Sequence, residues 1–159
     1  MPHSLSLDLL LSNLPGAAYR CRNDSEWTME FVSDGIEQLT GYSADTFTGE
    51  PGLSFASIML PQDRPLVDAA VAAALAKGHP FQVTYRIRTA AGEIRWLCEQ
   101  GALDLSDGEP GMLEGFLSDF TRIKEADRLV REQASFLQRA RDAIIVMNMD
   151  STIDYWNEG

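Results

Sequence analysis

The segment from residue 81 to residue 103 constrains the fold more than any other part of the chain. Residues 81–88 alternate between apolar and polar side chains, which is typical of a β-strand that buries one face. The apolar set is Phe81, Val83, Tyr85 and Ile87. Gly92 provides a turn, and the partner strand "EIRWLCEQGAL" is expected to place Ile94, Trp96 and Cys98 on one face. Such a hairpin predicts an antiparallel sheet covered on one side.

Three further strands are predicted around this hairpin. "AAYRCR" and "WTMEFVS" flank the turn "NDSE" near the N-terminus, and "MLEGFLSDF" follows a loop rich in Gly and Asp. Short helices are expected between the second and third strands. The longest of them lies in "DRPLVDAAVAAALAKGHP", where we expect Asp63 to cap the helix and Gly78 to close it. The sequence therefore predicts an α+β domain with a five-stranded antiparallel sheet.

Both ends of the chain carry predicted amphipathic helices. Residues 1–14 contain a leucine stripe that must be buried against another surface, formed by Leu7, Leu10, Leu11 and Leu14. Residues 121–141 contain neither Gly nor Pro, and Ile123, Val130 and Leu137 follow one another at intervals of seven. This second helix carries a net charge of +3 on a chain whose total is -11. It is either an ordinary solvated helix or a weak coiled coil.

Four segments follow one another along the chain, namely "FVSDGIEQLTGYSADTF", "PQDRPLV", "FQVTYRIRTAAGEIRWL" and "GFLSDFTRIKEAD". Together and in this order, they resemble the PAS family, specifically its PAC-containing subclass. The resemblance covers about residues 15–130. The departures are small: Ala91 stands where an Asp usually precedes Gly92, and Phe120 and Arg122 replace the common Ile and Glu of the closing segment.

The resemblance implies a PAS fold with strand order 2-1-5-4-3 and a pocket between the sheet and the helices. It also implies a sensory module, most often upstream of a histidine kinase or a diguanylate cyclase in bacteria. We therefore expect the input module of a multidomain signalling protein, with a histidine kinase as the effector. Alternatives are the PAS module of a diguanylate cyclase or phosphodiesterase, and a ligand-free structural dimerisation domain.

The candidate pocket residues are aromatic and aliphatic side chains that could line the space between sheet and helices. They are Tyr19, Phe31, Leu39, Phe55, Ile58, Leu75, Tyr85 and Trp96. These side chains either fill the core completely or leave room for a small ligand. Arg86, Arg88 and Arg95 are expected on the opposite strand faces, which would be partly solvated or covered by the N-terminal helix. An anion site on those faces is a weaker alternative.

Signal transmission is expected where the last strand runs directly into the long helix. The residues assigned to transmission or dimerisation are Asp119, Thr121, Ile123, Val130 and Leu137. We expect a parallel homodimer through the N-terminal and C-terminal helices, which would transmit a rotation or a register change to an effector domain in the same chain.

Composition and motifs argue against several other functions. The acidic chain is expected not to bind nucleic acid, and it has no apolar run long enough to span a membrane, so a cytoplasmic location is expected. No catalytic motif is present, so the segment is expected to be non-catalytic. No cofactor is expected: His79 is a lone histidine in a predicted loop, which disfavours haem, and flavin is disfavoured as well. The segment that would hold the reactive Cys of flavin photoreceptors, "EPGLSFASIMLPQDR", has none. Cys21 and Cys98 are expected to be reduced.

The last residues resemble the beginning of a second copy of the domain. "ARDAIIVMNMDSTIDYWNEG" and "LPGAAYRCRNDSEWTMEFVSDG" each contain two strands around an Asp-Ser turn. We therefore expect a helix at residues 1–14, a PAS domain at 15–120, a linker helix at 121–141 and a truncated second PAS domain at 142–159. The truncation predicts that residues 142–159 lack their proper core.

Overall fold

Five antiparallel strands form the central sheet of the computed structural model, which describes residues 7–104, 111–139, 145–148 and 152–156. The strands are β1 (Ala17–Arg22), β2 (Met29–Val32), β3 (Phe81–Arg88), β4 (Ile94–Leu103) and β5 (Met112–Asp119). Their order in the sheet is β2-β1-β5-β4-β3, with every neighbouring pair antiparallel. The predicted α+β fold with a five-stranded antiparallel sheet and its strand order are confirmed.

Among the described residues, five helices precede β1 or lie between β2 and β3 along the chain. Before the first strand lies α1 (Leu7–Asn13), and between β2 and β3 lie α2 (Gly35–Thr40), α3 (Ala44–Thr48), α4 (Phe55–Ile58) and α5 (Arg64–Ala76). Val67 and Val71 are buried in α5, which packs against β3, while alanines favour the helical conformation. The core contains side chains from these helices and from one face of the sheet.

One detail at a helix terminus differs from the expectation. Asp63 stands at the N-cap of α5, but its carboxylate makes no capping hydrogen bond and instead accepts hydrogen bonds from Arg86. Leu10 and Leu14 of the N-terminal leucine stripe are exposed in the single chain, and burial of this stripe against another surface stays a prediction. A short terminal helix has little surface to bury by itself, so its apolar side chains need another partner.

The sheet register decides which side chains meet in the core. In β3, the buried residues are the alternating set Phe81, Val83, Tyr85 and Ile87, as predicted. Directly paired residues of adjacent antiparallel strands project on the same face. Because Val83 pairs with Glu99 and Tyr85 pairs with Leu97, the core-facing positions of β4 are Leu97 and Glu99. Trp96 and Cys98 therefore lie on the opposite face.

Residues 122–159 form a second compact unit, described here by itself. It contains most of α6 (Thr121–Arg139), followed by strands β6 (Ile145–Met147) and β7 (Ile153–Trp156), which pair as an antiparallel hairpin. The expected long helix is therefore present as far as Arg139, and residues 140 and 141 lie outside the described residues.

The β6–β7 hairpin repeats the irregularity of the β1–β2 hairpin. In the first hairpin, Arg20 pairs with Phe31 and Cys21 with Met29, so that one residue of β2 is skipped. In the second, Val146 pairs with Tyr155 and Met147 with Ile153, again skipping one residue. The apolar residues of the second hairpin are exposed, whereas their counterparts Cys21 and Met29 are buried.

Candidate functional site

A buried carboxylate lies on the core face of the sheet. Glu99 stands in β4 opposite Val83 of β3 and Leu117 of β5, and the residue is only 6% exposed. Both directly paired neighbours are apolar, so neither of them can bond to the carboxyl group. A buried carboxyl group requires hydrogen-bond partners from other positions in the fold.

Two tyrosines provide those partners. The Tyr19 hydroxyl donates to Oε1 of Glu99 at 2.5 Å, and the Tyr85 hydroxyl donates to Oε2 at 2.6 Å. Tyr19 comes from β1 and Tyr85 from β3, so the three side chains connect strands on both sides of β4. We refer to Tyr19, Tyr85 and Glu99 as the tyrosine–glutamate cluster.

A pair of glycines makes room for the Tyr19 side chain, which has to cross β5 to reach Glu99. Tyr19 is paired with Gly115 of β5, and Gly115 is paired with Gly101 of β4. A Cβ atom added at either glycine would lie 2.7 Å from the Tyr19 hydroxyl, closer than real Cβ contacts allow. The absence of side chains at these two positions therefore lets the Tyr19 ring lie across β5 and reach Glu99.

Burial dominates the electrostatics of the cluster. Removal from water raises the pKa of Glu99, and the hydrogen bonds from Tyr19 and Tyr85 oppose this increase without cancelling it. The pKa values of both tyrosines are raised, first by burial and then by the nearby Glu99 charge. The same two causes raise the pKa of the Cys21 thiol. Glu99 forms no ion pair within the described ranges.

The structure places six of the eight predicted pocket residues in or beside the core. Tyr19 and Tyr85 belong to the tyrosine–glutamate cluster. Three others are buried in the same core, namely Leu39, Phe55 and Ile58, and a sixth, Leu75, is partly buried against it. Whether a ligand displaces any of this packing stays a prediction.

The placement of Phe31 and Trp96 in the pocket was wrong. Phe31 pairs with Arg20 and Trp96 pairs with Arg86, so both aromatic rings share the sheet face of those arginines. Phe31 is 47% exposed there. Alternation within β4 could not reveal this, because Trp96 and Cys98 form one apolar set and Leu97 with Glu99 forms the other. Only the pairing with β3 selects the second set for the core.

The expected face of Arg95 was also wrong. Arg95 pairs with Ile87, which is buried, and its guanidinium donates to the carbonyl oxygens of Gln38 and Leu39 near the end of α2. A cation near the C-terminus of a helix is favourable because the terminal carbonyl groups lack helical partners. Arg95 therefore connects the sheet to α2.

Arg86 lies between α5 and Trp96. Its backbone N–H and its Nε both donate to Oδ2 of Asp63, at 2.9 and 2.8 Å, and its second guanidinium nitrogen donates to Oδ1. The guanidinium carbon lies 5.3 Å from the centre of the Trp96 ring. Arg86 is the first cause that lowers the pKa of Asp63, through its side-chain hydrogen bonds.

The start of α6 is attached to the backbone of Trp96. The Trp96 N–H donates to the Thr121 hydroxyl oxygen at 3.1 Å, and the Phe120 N–H donates to the Trp96 carbonyl at 2.8 Å. The Thr121 N–H donates to the Asp119 carboxylate at 2.8 Å. Two residues assigned to transmission from the sequence, Asp119 and Thr121, thus lie at this junction.

The remaining transmission residues lie along α6. Ile123 is 56% exposed and Val130 is 64% exposed, and Leu137 lies in the same helix seven residues further on. Leu129 and Phe136 are also exposed. The helix therefore presents apolar side chains for which its own unit provides no cover.

The sequence reasoning missed Glu99, Gly101 and Gly115 as parts of a site. An acidic residue two positions after a core leucine, in the strand "EIRWLCEQGAL", was the available signal, since both then share one strand face. The Asp63–Arg86 contact was also missed, because Asp63 had been explained as a helix cap.

Within the described residues, no group of three or more His, Cys, Asp or Glu side chains could hold a metal ion. No described helix is both long enough and apolar enough to span a bilayer. Among the surface clefts of the described residues are three whose linings include Gln82 and Gln100, Ser12 and Phe31, and Glu26 and Leu53, respectively. None of the three is lined by the tyrosine–glutamate cluster.

Comparison with known proteins provides independent information about this fold. A family model described as the PAS fold matches residues 29–117. The methyl sulfide methyltransferase-associated sensor of Methanosarcina acetivorans is 32% identical over 120 residues. The match covers 74% of this chain but 12% of the relative, so the chain spans only a small part of that protein's length.

Solved structures show the same architecture. A sensory box histidine kinase/response regulator from Burkholderia thailandensis E264 is 26% identical with a TM-score of 0.64, over 82% of this chain and 96% of that one. The N-terminal domain of a diguanylate cyclase with PAS/PAC sensor from Marinobacter aquaeolei is 21% identical with a TM-score of 0.55, over 69% of this chain and 98% of that one.

Proposed function

The chain belongs to the PAS family, and we propose that it is the sensory input module of a multidomain bacterial signal-transduction protein with a histidine kinase effector. Support comes from the 26% identity to a sensory box histidine kinase and from the curated relative, which is named as a sensor. The segment itself acts by binding and transmission, without catalysis. A cytoplasmic location of this module fits that role.

The sensing centre that we propose is the tyrosine–glutamate cluster. Its two hydroxyl groups and one carboxylate form a polar group inside an otherwise apolar layer. Polar groups in such a layer fix the orientation of a small ligand or respond to a change in charge, because interactions there are weakly screened. The other buried candidates, Leu39, Phe55 and Ile58, would provide the apolar surroundings. A bound haem or flavin is not part of the proposal.

One observation carries the proposal: the strand that bears Glu99 also holds the start of α6. Trp96 lies three residues before Glu99 in β4, and both its backbone N–H and its carbonyl are bonded to residues 120 and 121. A displacement of β4 at Glu99 therefore changes the geometry at Thr121. Transmission further requires that the signal favour one of two arrangements.

Hydrogen exchange tests this connection. Tyr85→Phe removes one donor to Glu99 without changing the ring, and we expect it to alter the exchange rate of the Trp96 amide, about 10-fold for a change of about 1.4 kcal/mol in local opening. Thr121→Val removes the oxygen that accepts from this amide and serves as the positive control. The matched control is Tyr42→Phe, a tyrosine outside the cluster. If Tyr85→Phe leaves Trp96 exchange unchanged while Thr121→Val increases it, the proposed route is wrong.

Dimerisation through α6 is a further part of the proposal. Ile123 and Val130 are exposed and seven residues apart, and Leu137 continues the same interval. A parallel homodimer would bury this stripe and align two transmission helices. The exposed leucines of α1 would form a second surface of the same homodimer.

We also propose that residues 142–159 begin a second PAS domain. The support is the repeated pairing of β1–β2 and β6–β7, in which the skipped residue of the second strand is Glu30 in one hairpin and Asp154 in the other. A longer natural chain that contains these residues should bury Ile145 and Ile153. Solvent exposure of both in such a chain would contradict this assignment.

A ligand-free structural module is the second candidate function, because the side chains of Tyr19 and Tyr85 already bond to Glu99 and thereby occupy part of the expected pocket. Native mass spectrometry distinguishes the two: a co-purified small molecule supports sensing of a ligand. The gene that encodes the chain distinguishes a kinase effector from a diguanylate cyclase or phosphodiesterase.

A further inference from the structure

The tyrosine–glutamate cluster contains a conflict between hydrogen bonding and burial. An ionised carboxylate only accepts hydrogen bonds, so it is complementary to the two hydroxyl donors of Tyr19 and Tyr85. A protonated Glu99 has one O–H group that must donate. One of the two tyrosines must then accept this hydrogen and turn its own hydrogen toward another acceptor. The observed arrangement of two donors on two oxygens thus suits the ionised form.

Burial favours the opposite form. Glu99 lies in an apolar layer, and a buried charge without a cationic partner is strongly disfavoured. The titratable groups around it are Tyr19 and Cys21 from β1 and Tyr85 from β3, all neutral at ordinary pH. Its paired neighbours on β3 and β5 and the buried residues of α5 are apolar, namely Val83, Leu117, Val67 and Val71.

Hydrogen bonding from the tyrosines favours the ionised Glu99 carboxylate, and burial favours the protonated carboxylic acid. The free energies of these two forms are therefore brought closer together. Burial raises the pKa of Glu99, and the two tyrosine hydrogen bonds only partly offset that effect. Glu99 and its two tyrosines do not line any of the three clefts described above. A proton needs no cavity beside the carboxyl group, in contrast to a larger ligand.

We propose that Glu99 is a proton-binding site and that the proton is the ligand this module senses. The step is a simple exchange: the Glu99 carboxylate takes one proton from solvent and becomes a carboxylic acid, and it releases that proton at higher pH. On protonation, the new O–H donates to the oxygen of Tyr19 or Tyr85, and that tyrosine loses its acceptor. Strands β1, β3 and β4 are linked through these three side chains, so the change reaches Trp96 in β4. The sensing role rests on the function proposed above.

Carboxyl NMR on the complete chain tests the proposal directly. Glutamate side-chain carbons are labelled with 13C, and their shifts are followed from about pH 4 to about pH 9, together with the amide signals of Trp96 and Thr121. We expect Glu99 to titrate above the usual range of a glutamate side chain because it is buried, and the two amides to move with the same midpoint. Glu99→Gln, which resembles the protonated form, should abolish this midpoint, whereas Glu37→Gln should leave it unchanged.

Three outcomes overturn the proposal. Titration of Glu99 together with the exposed glutamates would show that burial does not change the proton affinity of its carboxyl group. A single protonation state over the whole range of the folded protein would show that no exchange occurs. A raised midpoint that the amides of Trp96 and Thr121 do not follow would overturn the sensing role.

The two proposals fail in different ways. If Tyr85→Phe changes the exchange of the Trp96 amide but protonation of Glu99 does not, transmission stands and the proton is not the signal. If neither changes it, the transmission route itself is wrong. The titration is read in the unmodified chain, so it does not depend on whether the Glu99→Gln variant folds.

Discussion

Gly101 on β4 stands directly opposite Gly115 on β5, and the Tyr19 hydroxyl occupies the space that a side chain at either position would need. Two glycines in adjacent strands thus leave the space through which the Tyr19 side chain reaches Glu99. Glycine usually weakens a strand because it adds backbone freedom and no packing. At positions 101 and 115, the close approach of the Tyr19 side chain explains why glycine is present.

Replacement of Gly115 by alanine should therefore destabilise the protein. The added Cβ would lie 2.4 Å from the Gln100 carbonyl oxygen as well as against the Tyr19 ring, so strands or ring must shift. We expect a loss of about 1–3 kcal/mol in the free energy of unfolding, measured by urea denaturation.

Gly92→Ala is the control for this substitution, since position 92 has open space and only an unfavourable φ of 86°. That variant should lose about 1–2 kcal/mol from backbone strain alone, with no displacement of strands or of the Tyr19 ring. A Gly115→Ala variant as stable as the parent chain would show that Tyr19 does not need the space.

The stability of the protein should fall with rising pH because of Glu99. Its pKa is raised in the folded state, so as pH rises the unfolded chain releases the proton first. The stabilisation is complete below the ordinary glutamate pKa and is lost as pH rises through the raised folded-state pKa. Glu99→Gln removes this dependence.

Urea unfolding at a series of pH values measures the difference between the parent chain and Glu99→Gln. We expect the variant to gain relative stability with pH, at a slope that approaches about 1.4 kcal/mol per pH unit where one proton is exchanged. A constant difference across the series would contradict a raised Glu99 pKa.

Asp63 should have the opposite pH dependence. Hydrogen bonds from Arg86 lower the pKa of Asp63, so its stabilisation is present above the ordinary aspartate pKa and is lost as pH falls through the lowered one. Asp63→Asn should cost about 2 kcal/mol near neutral pH, as expected for hydrogen bonds to a charged group. Thermal or urea unfolding near neutral and at acidic pH measures both the loss and its disappearance in acid.

Two variants refine the Asp63 prediction. Arg86→Lys keeps the charge but cannot form the forked contact, and it should recover little of the stability. Asp68→Asn on the exposed side of α5 is the matched control and should change stability by less than about 0.5 kcal/mol. Equal losses for Asp63→Asn and Asp68→Asn would mean that the Arg86 contact contributes nothing specific.

Charge on the α6 stripe should weaken self-association. Val130→Glu, alone or with Leu137→Glu, places carboxylates where the heptad interval predicts contact between helices, and we expect the dimer dissociation constant to rise at least about 10-fold, as a loss of about 1.4 kcal/mol implies. Gln138→Glu adds one charge outside this stripe and serves as control. Sedimentation velocity at several concentrations measures the change; identical profiles for Val130→Glu and Gln138→Glu would exclude a dimer through this stripe.

Local periodicity in the sequence was sufficient to predict the elements and their order. The alternation at residues 81–88, the glycines at turns and the long helix from Thr121 are short-range patterns, because each depends on side chains a few positions apart. Together with four segments that resemble the PAS family, they predicted the fold, the strand order and the junction at Asp119 and Thr121.

Tertiary structure alone decided which face of β4 enters the core. Both alternating sets of that strand contain apolar residues, so the sequence could not select between Trp96 and Leu97, and the pairing with β3 made the choice. The pairing also buried Glu99, whose tyrosine partner Tyr19 is 80 residues away in the chain. Register between strands is a long-range property of the whole sheet, and the polar centre of this protein exists only because that register brings Tyr19, Tyr85 and Glu99 together.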